Sequence, residues 1–306
     1  MNLDPEHSLT GRVAVVAGAT RGAGRGIAVE LGARGATVLC TGRSTRTGLS
    51  DLGTAQGRPE TIEETAELVT AAGGVGVPVR CDHLNEADVQ ALAERVRADF
   101  GGLDVLVNDV WGGERHSEWG KKAWELDLAK ARALIEGGLW THLVTGRYLI
   151  PLLRPGALIV EVTDGDGWSY RGNLIYDLAK TGVMRLAQGW AHELEGDPRG
   201  VTSVSVTPGY LRSEEMLAHF GVEETRWRDA TARDPNFAES ETPRFVGRAV
   251  AALAADPDKH RFNGRALASW TLMDEYGFTD VDGRKPHWGN WFREMLKGQL
   301  VTPDQV

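Results

Sequence analysis

The chain has 306 residues, of which 34 are Lys or Arg and 43 are Asp or Glu, leaving a formal charge of −9 at neutral pH and a pI near 5.5. With no basic blocks, that balance argues against nucleic acid and against an anionic membrane as partners. Hydrophobic residues at 42% and charged residues at 25% suit a globular chain with a sizeable core and argue against a disordered or fibrous protein.

In chain order, short β-branched runs alternate with helical periodicity from residue 12 to about 270. Strands are predicted over 12–18, 36–43, 75–82, 103–108, 157–163, 201–206 and 265–272. Most are apolar on both faces, as strands covered by helices on both sides must be. Helices are predicted over 24–34, 61–72, 86–100, 121–153, 173–195 and 243–255. This alternation gives a Rossmann-type, doubly wound parallel α/β sheet of about seven strands with helices on both faces. No linker divides the chain, so 1–306 reads as a single domain. It carries a substrate-loop insertion around 213–242 and a tail over 276–306, where Trp288, Trp291 and Phe292 suggest docking onto an apolar surface. The Gly-, Thr- and Arg-rich stretch 44–60 is also longer than a sheet connection needs. Cys40 and Cys81 are too few for a disulfide framework and read as small buried strand residues. No apolar run approaches the ~18 residues of a membrane span, and the first ten residues carry Asp4, Glu6 and His7 where a signal peptide is apolar. The expectation is a cytoplasmic protein.

The first strand runs into Gly18-Ala19-Thr20-Arg21-Gly22-Ala23-Gly24 at the entry to a helix. Glycines permit the tight turn and close backbone approach, and the helix N-terminus offers free N–H groups and a positive dipole end to a pyrophosphate. At the end of the second strand, an acidic residue would bind ribose hydroxyls and an arginine a 2′-phosphate. Arg43 stands there, and with Arg21 it favours NADP(H) over NAD(H). Further on, Tyr176 and Lys180 share one helix face. An ammonium ~5 Å from a phenol, at an effective dielectric near 20, favours phenolate by about 3 kcal/mol, or roughly two pK units. His116, His142, His192 and His260 lack ligand spacing, and no metal site is expected.

The glycine turn, Leu103-Asp104-Val105-Leu106-Val107-Asn108, Tyr176/Lys180 and Thr207-Pro208-Gly209 together resemble the short-chain dehydrogenase/reductases over about residues 11 to 275. Within that family, Gly138-Leu139-Trp140-Thr141-His142 is similar to the branch of dehydrogenase/reductase member 1. The resemblance implies an NAD(P)-dependent alcohol/carbonyl oxidoreductase in which Tyr176 is the acid/base, while Lys180 lowers its pKa and holds the nicotinamide ribose. It further implies Asp82 and His83 beside the adenine, Asn108 beside the adenosine ribose, and Pro208-Gly209 beside the nicotinamide. A homo-oligomer, dimer or tetramer, would form through helices 121–153 and 173–195.

The departures from the family pattern matter as much. Ala17-Gly18 stands for Thr-Gly, and Asn108-Asp109-Val110-Trp111 for Asn-Asn-Ala-Gly. The helix asparagine that holds a relay water falls at Gly138. The catalytic serine aligns with Asp164 by strand register, and with Thr163 by counting back thirteen residues from Tyr176. Thr163 could donate to a carbonyl; Asp164 could donate only when protonated, and ionised it would raise the tyrosine pKa. Loops bearing Trp111, Trp119, Trp168, Tyr170, Tyr210, Phe220 and Trp227 would line a cleft for a small apolar carbonyl or alcohol. The reading is an NADP(H)-dependent oxidoreductase. The rival is an NADP(H)-binding sensor or regulatory protein with impaired catalysis, favoured by Gly138 and Asp164.

Overall fold

The computed structural model describes residues 9–48 and 58–296, so most of the stretch 44–60 and the ends of the tail and N-terminus lie outside the described residues. Strands β1 (Val13–Ala17), β2 (Thr37–Gly42), β3 (Val75–Arg80), β4 (Leu103–Asn108), β5 (Leu153–Val162), β6 (Thr202–Thr207) and β7 (Ala266–Ala268) form one sheet in the order β3-β2-β1-β4-β5-β6-β7. Every pairing is parallel. Since β4 lies beside β1 although two strands intervene in sequence, the winding reverses there and leaves a crevice above the strand ends.

The period-two pleat sorts each strand between two cores. Val16, Val38, Val107 and Val160 face Ile27 and Leu31 of α1 (Gly22–Ala33) and Val246, Val250 and Leu253 of α8 (Pro243–Ala255). Their neighbours Val15, Leu39, Leu106 and Ile159 face Val89 and Leu92 of α3 (Glu86–Arg95) and Leu149 of α5 (Thr141–Leu149). Both faces being covered is why β1, β4 and β6 are buried throughout. Helices α1 and α8 cross in backbone contact, for a Cβ on Gly26 would strike the Pro243 carbonyl and one on Gly247 the Gly26 carbonyl. Helix α2 (Ile62–Ala71) starts from Thr61, whose side chain accepts the Glu64 N–H.

Four predicted elements change. The helix expected over 121–153 begins only at α4 (Leu128–Ile135), where Asp127 caps Ala129 and Lys130, and it is broken by a π-type turn at Glu136–Trp140 before α5. Ile150–Leu152 form a 3₁₀ turn, and Leu153 already belongs to β5, which starts there instead of at 157. The strand expected over 265–272 stops at Ala268, because Trp270, Leu272 and Met273 are buried from α9 (Ser269–Tyr276) instead. The helix expected over 86–100 leaves α geometry after Arg95 in a second π-type turn. Helix α6 (Leu174–Glu193) matches its expected span apart from its ends.

The stretch 213–242 folds as α7 (Glu214–Phe220) and two 3₁₀ segments around a satellite core of Phe220, Trp227, Ala230 and Phe237. Fully buried Arg212 donates to Glu224 at 2.8 Å and to the Ser240 carbonyl at 3.1 Å. In the tail, α10 (Trp288–Leu296) sets Trp288 against Tyr210, ring centres 5.6 Å apart, and Trp291 donates to Asn236. Among the described residues no helix is long and apolar enough to cross a membrane.

Candidate active site

At the end of β1 the chain turns through Gly18 with φ +87°. A Cβ there would strike the Asp109 carbonyl, and one on Gly24 would strike the Gly18 carbonyl and lie 2.8 Å from Asp109 Oδ2. Glycine is therefore required at both positions by close approach to the segment after β4. Helix α1 begins at Gly22 without a side-chain cap. Its Gly22 N–H donates to Glu214 Oε2 at 2.8 Å, and Glu214 Oε1 lies 3.6 Å from Arg25, so this N-terminus already attracts an anion. Arg25 also donates to the Thr20 carbonyl, fixing the turn.

Half-buried Arg43 follows β2, and it is within electrostatic reach of Arg21, Arg115 and Asp82. Arg21 lies 3.4 Å from Glu60. Arg115, from the loop after β4, is a third guanidinium at this corner; it is far from Arg43 in sequence, and only the β1–β4 reversal signals its arrival. The Asp82 carboxylate accepts the Leu84 N–H, closing a turn. The His83 imidazole points into the core between the Thr41 and Thr145 hydroxyls, each at 2.8 Å, where burial pulls its pKa down to about 3. Only its main chain is left to face the crevice. Cys40 and Cys81 are likewise buried, their thiols pushed up to about 12 and therefore protonated.

Asn173 caps α6, its side chain accepting the N–H groups of Ile175 and Tyr176, which fixes Tyr176 in the first turn. Tyr176 Oη donates to Asp164 Oδ2 at 2.7 Å. Thr163, one residue earlier, sends its side chain the other way and donates to the Lys180 carbonyl at 2.7 Å, nearly fully buried. Of the two candidates for the serine position, Asp164 is the one that meets Tyr176. Arg171 braces the loop by donating to the Asp164 carbonyl and, at 2.8 Å, to Asp177.

Lys180 Nζ sits 3.8 Å from the Trp111 ring centre and 5.5 Å from that of Tyr176. Trp111 and Trp119 flank Tyr176, at 5.3 and 5.0 Å between ring centres. The indole of Trp111 fills the volume beside Gly138, where any Cβ would strike it. Burial, then Asp164 and Glu114, push the Tyr176 phenol well above its usual range. This reverses the expectation that Lys180 draws it down: the ammonium is held against indole, and a carboxylate accepts the phenolic hydrogen. Burial lowers the Lys180 pKa, opposed by Asp164, Asp109 and Glu114. Asp109, whose carboxyl accepts the Gly24 N–H, is raised to about 7 by burial, with Lys180 opposing.

Two acidic residues escaped sequence reasoning. Glu161, an acidic residue in the apolar second half of β5, is fully buried. It accepts from Asn108 Nδ2 at 2.9 Å and Trp190 at 3.2 Å, and pairs with His142 Nδ1 at 2.7 Å. The Asn108 side chain is thereby tied to β5 and fully buried. Glu241, also buried, accepts from Ser269 Oγ at 2.6 Å and from Gly209 N at 2.8 Å, next to Pro208, and burial raises its pKa to about 8. Of the aromatics expected to line the cleft, Trp111 and Trp119 touch Tyr176, and Trp168 and Tyr170 are exposed. Phe220 and Trp227 pin the insertion instead.

Comparison with known proteins bears on this arrangement. A family model described as enoyl-(acyl carrier protein) reductase matches residues 18–267. The mouse protein named dehydrogenase/reductase SDR family member 1 is 36% identical over 318 aligned positions, covering 97% of this chain and 96% of that protein. Its human namesake is 34% identical, covering 90% and 85%. Among solved structures, a short-chain dehydrogenase of Mycobacterium thermoresistibile superposes with a TM-score of 0.73 at 22% identity, covering 92% of each chain. A short-chain dehydrogenase/reductase of Burkholderia xenovorans gives 0.66 at 27%, covering 86% and 96%. With a family match over most of the sheet and full-length relatives above 30% identity, the chain belongs to the short-chain dehydrogenase/reductase family of NAD(P)-dependent oxidoreductases.

Proposed function

We propose that the protein is an NADP(H)-dependent oxidoreductase that interconverts an alcohol and a carbonyl on a small, apolar substrate, with Tyr176 exchanging the proton on oxygen. The observation that carries this reading is the placement of Tyr176 Oη at the strand ends, 2.7 Å from Asp164 and beside Lys180. A phenol so held is a proton carrier at the point where an oxygen would react. The glycine turn and α1 N-terminus suit a pyrophosphate, Arg21, Arg43 and Arg115 suit a 2′-phosphate, and Pro208-Gly209 would lie beside the nicotinamide. When bound, the nicotinamide supplies or takes the hydride.

The sensor reading keeps one specific observation in its favour, the Trp111 ring where the family has an asparagine. Titration with NADPH and NADH, followed by screening carbonyls with NADPH and alcohols with NADP⁺ for a change in nicotinamide absorbance, separates the two. Tight NADPH binding with turnover supports the enzyme; binding without turnover on any substrate supports the sensor. Exposed Trp124, Leu128, Trp140 and Leu178 on and beside α4 to α6 support a homo-oligomer formed through those helices. Two protonated, buried thiols accord with the reducing cytoplasm.

A further inference from the structure

The two departures from the family site fit each other. A side chain at Gly138 would hold the relay water in the family pattern; here the Trp111 ring fills that space and covers Lys180 Nζ at 3.8 Å, so indole closes the route for protons beneath the lysine. On the other side of Tyr176 stands Asp164, exposed to solvent and already accepting the phenolic hydrogen at 2.7 Å. An ionised carboxylate accepts and never donates. Thr163 cannot stand in, because its hydroxyl is spent on the Lys180 carbonyl. The Arg171 guanidinium is engaged by the Asp164 main-chain carbonyl and by Asp177, and the exposed Asp164 side chain meets Tyr176, with Lys180 in electrostatic reach; Glu114 and Arg171 act on Tyr176 and Lys180, and Asp109 on Lys180.

We propose that Asp164 is the terminal proton acceptor of the reaction, taking the hydroxyl proton of an alcohol substrate through Tyr176 and releasing it to solvent. This rests on the alcohol/carbonyl reading above and sets its direction as alcohol oxidation. The alcohol O–H breaks and its proton goes to Tyr176 Oη, as the phenolic proton moves to Asp164 Oδ2. The carbinol C–H leaves as hydride with both electrons to an oxidised nicotinamide dinucleotide, the C=O bond forms, and the Asp164 acid gives its proton to water. Tyr176 is neutral before and after. A carbonyl oxygen has no hydrogen for this chain, so reduction runs only when Asp164 already carries the proton.

The first test needs no cofactor. Phenolate absorbance is titrated in the native protein and in Asp164→Asn, with Tyr176→Phe backgrounds subtracted. Tyr176 should ionise at least about one pH unit lower in Asp164→Asn, a tenfold change in proton affinity. Ionisation at the same pH in both overturns the proposal. The second test follows oxidation of 1-phenylethanol with NADP⁺ and reduction of acetophenone with NADPH. Asp164→Ala should lose about 10²-fold or more in kcat for oxidation, while NADPH affinity stays within a few-fold as evidence of folding. Acetate or formate, but not chloride at equal ionic strength, should restore at least tenfold. A rise in acetophenone reduction at neutral pH in Asp164→Ser is expected, since the phenol is then free to donate; absence of rescue in Asp164→Ala overturns the proposal. If Asp164→Asn keeps full turnover while Tyr176→Phe has none, the functional reading survives and this proposal falls. If native protein binds NADPH and turns over neither substrate nor any other alcohol or carbonyl, both fall.

Discussion

A hydroxyl can donate a hydrogen bond and an ionised carboxylate can only accept one, and at the serine position of this site that difference decides which partner Tyr176 can have. Replacing Tyr176 with Phe keeps the ring between Trp111 and Trp119 and removes the hydroxyl proposed to carry the proton. Turnover should vanish while NADPH affinity, measured by titration calorimetry, changes no more than a few-fold. At the adenosine end, a charge-assisted hydrogen bond contributes about 1.5–3 kcal/mol, so NADPH should bind at least about tenfold more tightly than NADH. Arg43→Asp should reverse that order, and equal affinities in the native protein would remove the assignment. Tyr176 and Lys180 were legible because helical spacing alone puts them on one face. The choice between Thr163 and Asp164 was not, because consecutive residues at a strand end point to opposite sides, and an offset of one residue exchanges cleft for core. Spacing from Tyr176 favoured Thr163; its hydroxyl instead ties β5 to α6.

Helices were legible by period and misjudged by continuity. The apolar pattern over 121–153 runs unbroken past Gly137-Gly138, yet the helix is interrupted there to admit the Trp111 indole. That packing predicts the behaviour of the element: Gly138→Ala should cost about 1–3 kcal/mol by overpacking, read as a fall in Tm or denaturation midpoint. Trp111→Ala should itself destabilise by leaving a cavity, but Trp111→Ala with Gly138→Ala should be more stable than the sum of the single losses requires. Strict additivity would mean that the ring and the glycine are not coupled. Strand β7 was overestimated for a related reason. An apolar run of eight residues does not reveal whether it is read with period two or 3.6, and here three residues pair with β6 before the chain turns helical.

For the molecule as a whole, the parallel, doubly wound sheet followed from strand–helix alternation, whereas the strand order and contacts across the reversal between β1 and β4, such as Arg115 near Arg43, required the folded chain. The buried carboxyls give the assembled protein a pH signature. Glu241 has its folded pKa raised to about 8, above that of an exposed glutamate. It therefore holds its proton more tightly when folded, and its contribution is complete at acid pH and lost as pH climbs toward 8. Denaturant midpoints should fall between about pH 5 and 8 by more in the native protein than in Glu241→Gln, which keeps the acceptor for Ser269 and Gly209 and cannot ionise. His83 acts with the opposite sign: its folded pKa near 3 means stability lost as acid rises below the ordinary histidine range. His83→Gln should flatten that acid limb.

The backbone crossing of α1 and α8 bears on how the protein is made. Gly26, from the first tenth of the chain, has as its packing partner Gly247, from the last fifth. During synthesis the glycine turn and α1 leave the ribosome long before the helix that covers them exists, so one flank of the early strands waits with Val16, Val38 and Ile27 uncovered. The nucleotide end, first in sequence, is thus among the last parts to be sealed. A nascent chain stopped before residue 243 is the form of this protein that most needs a chaperone.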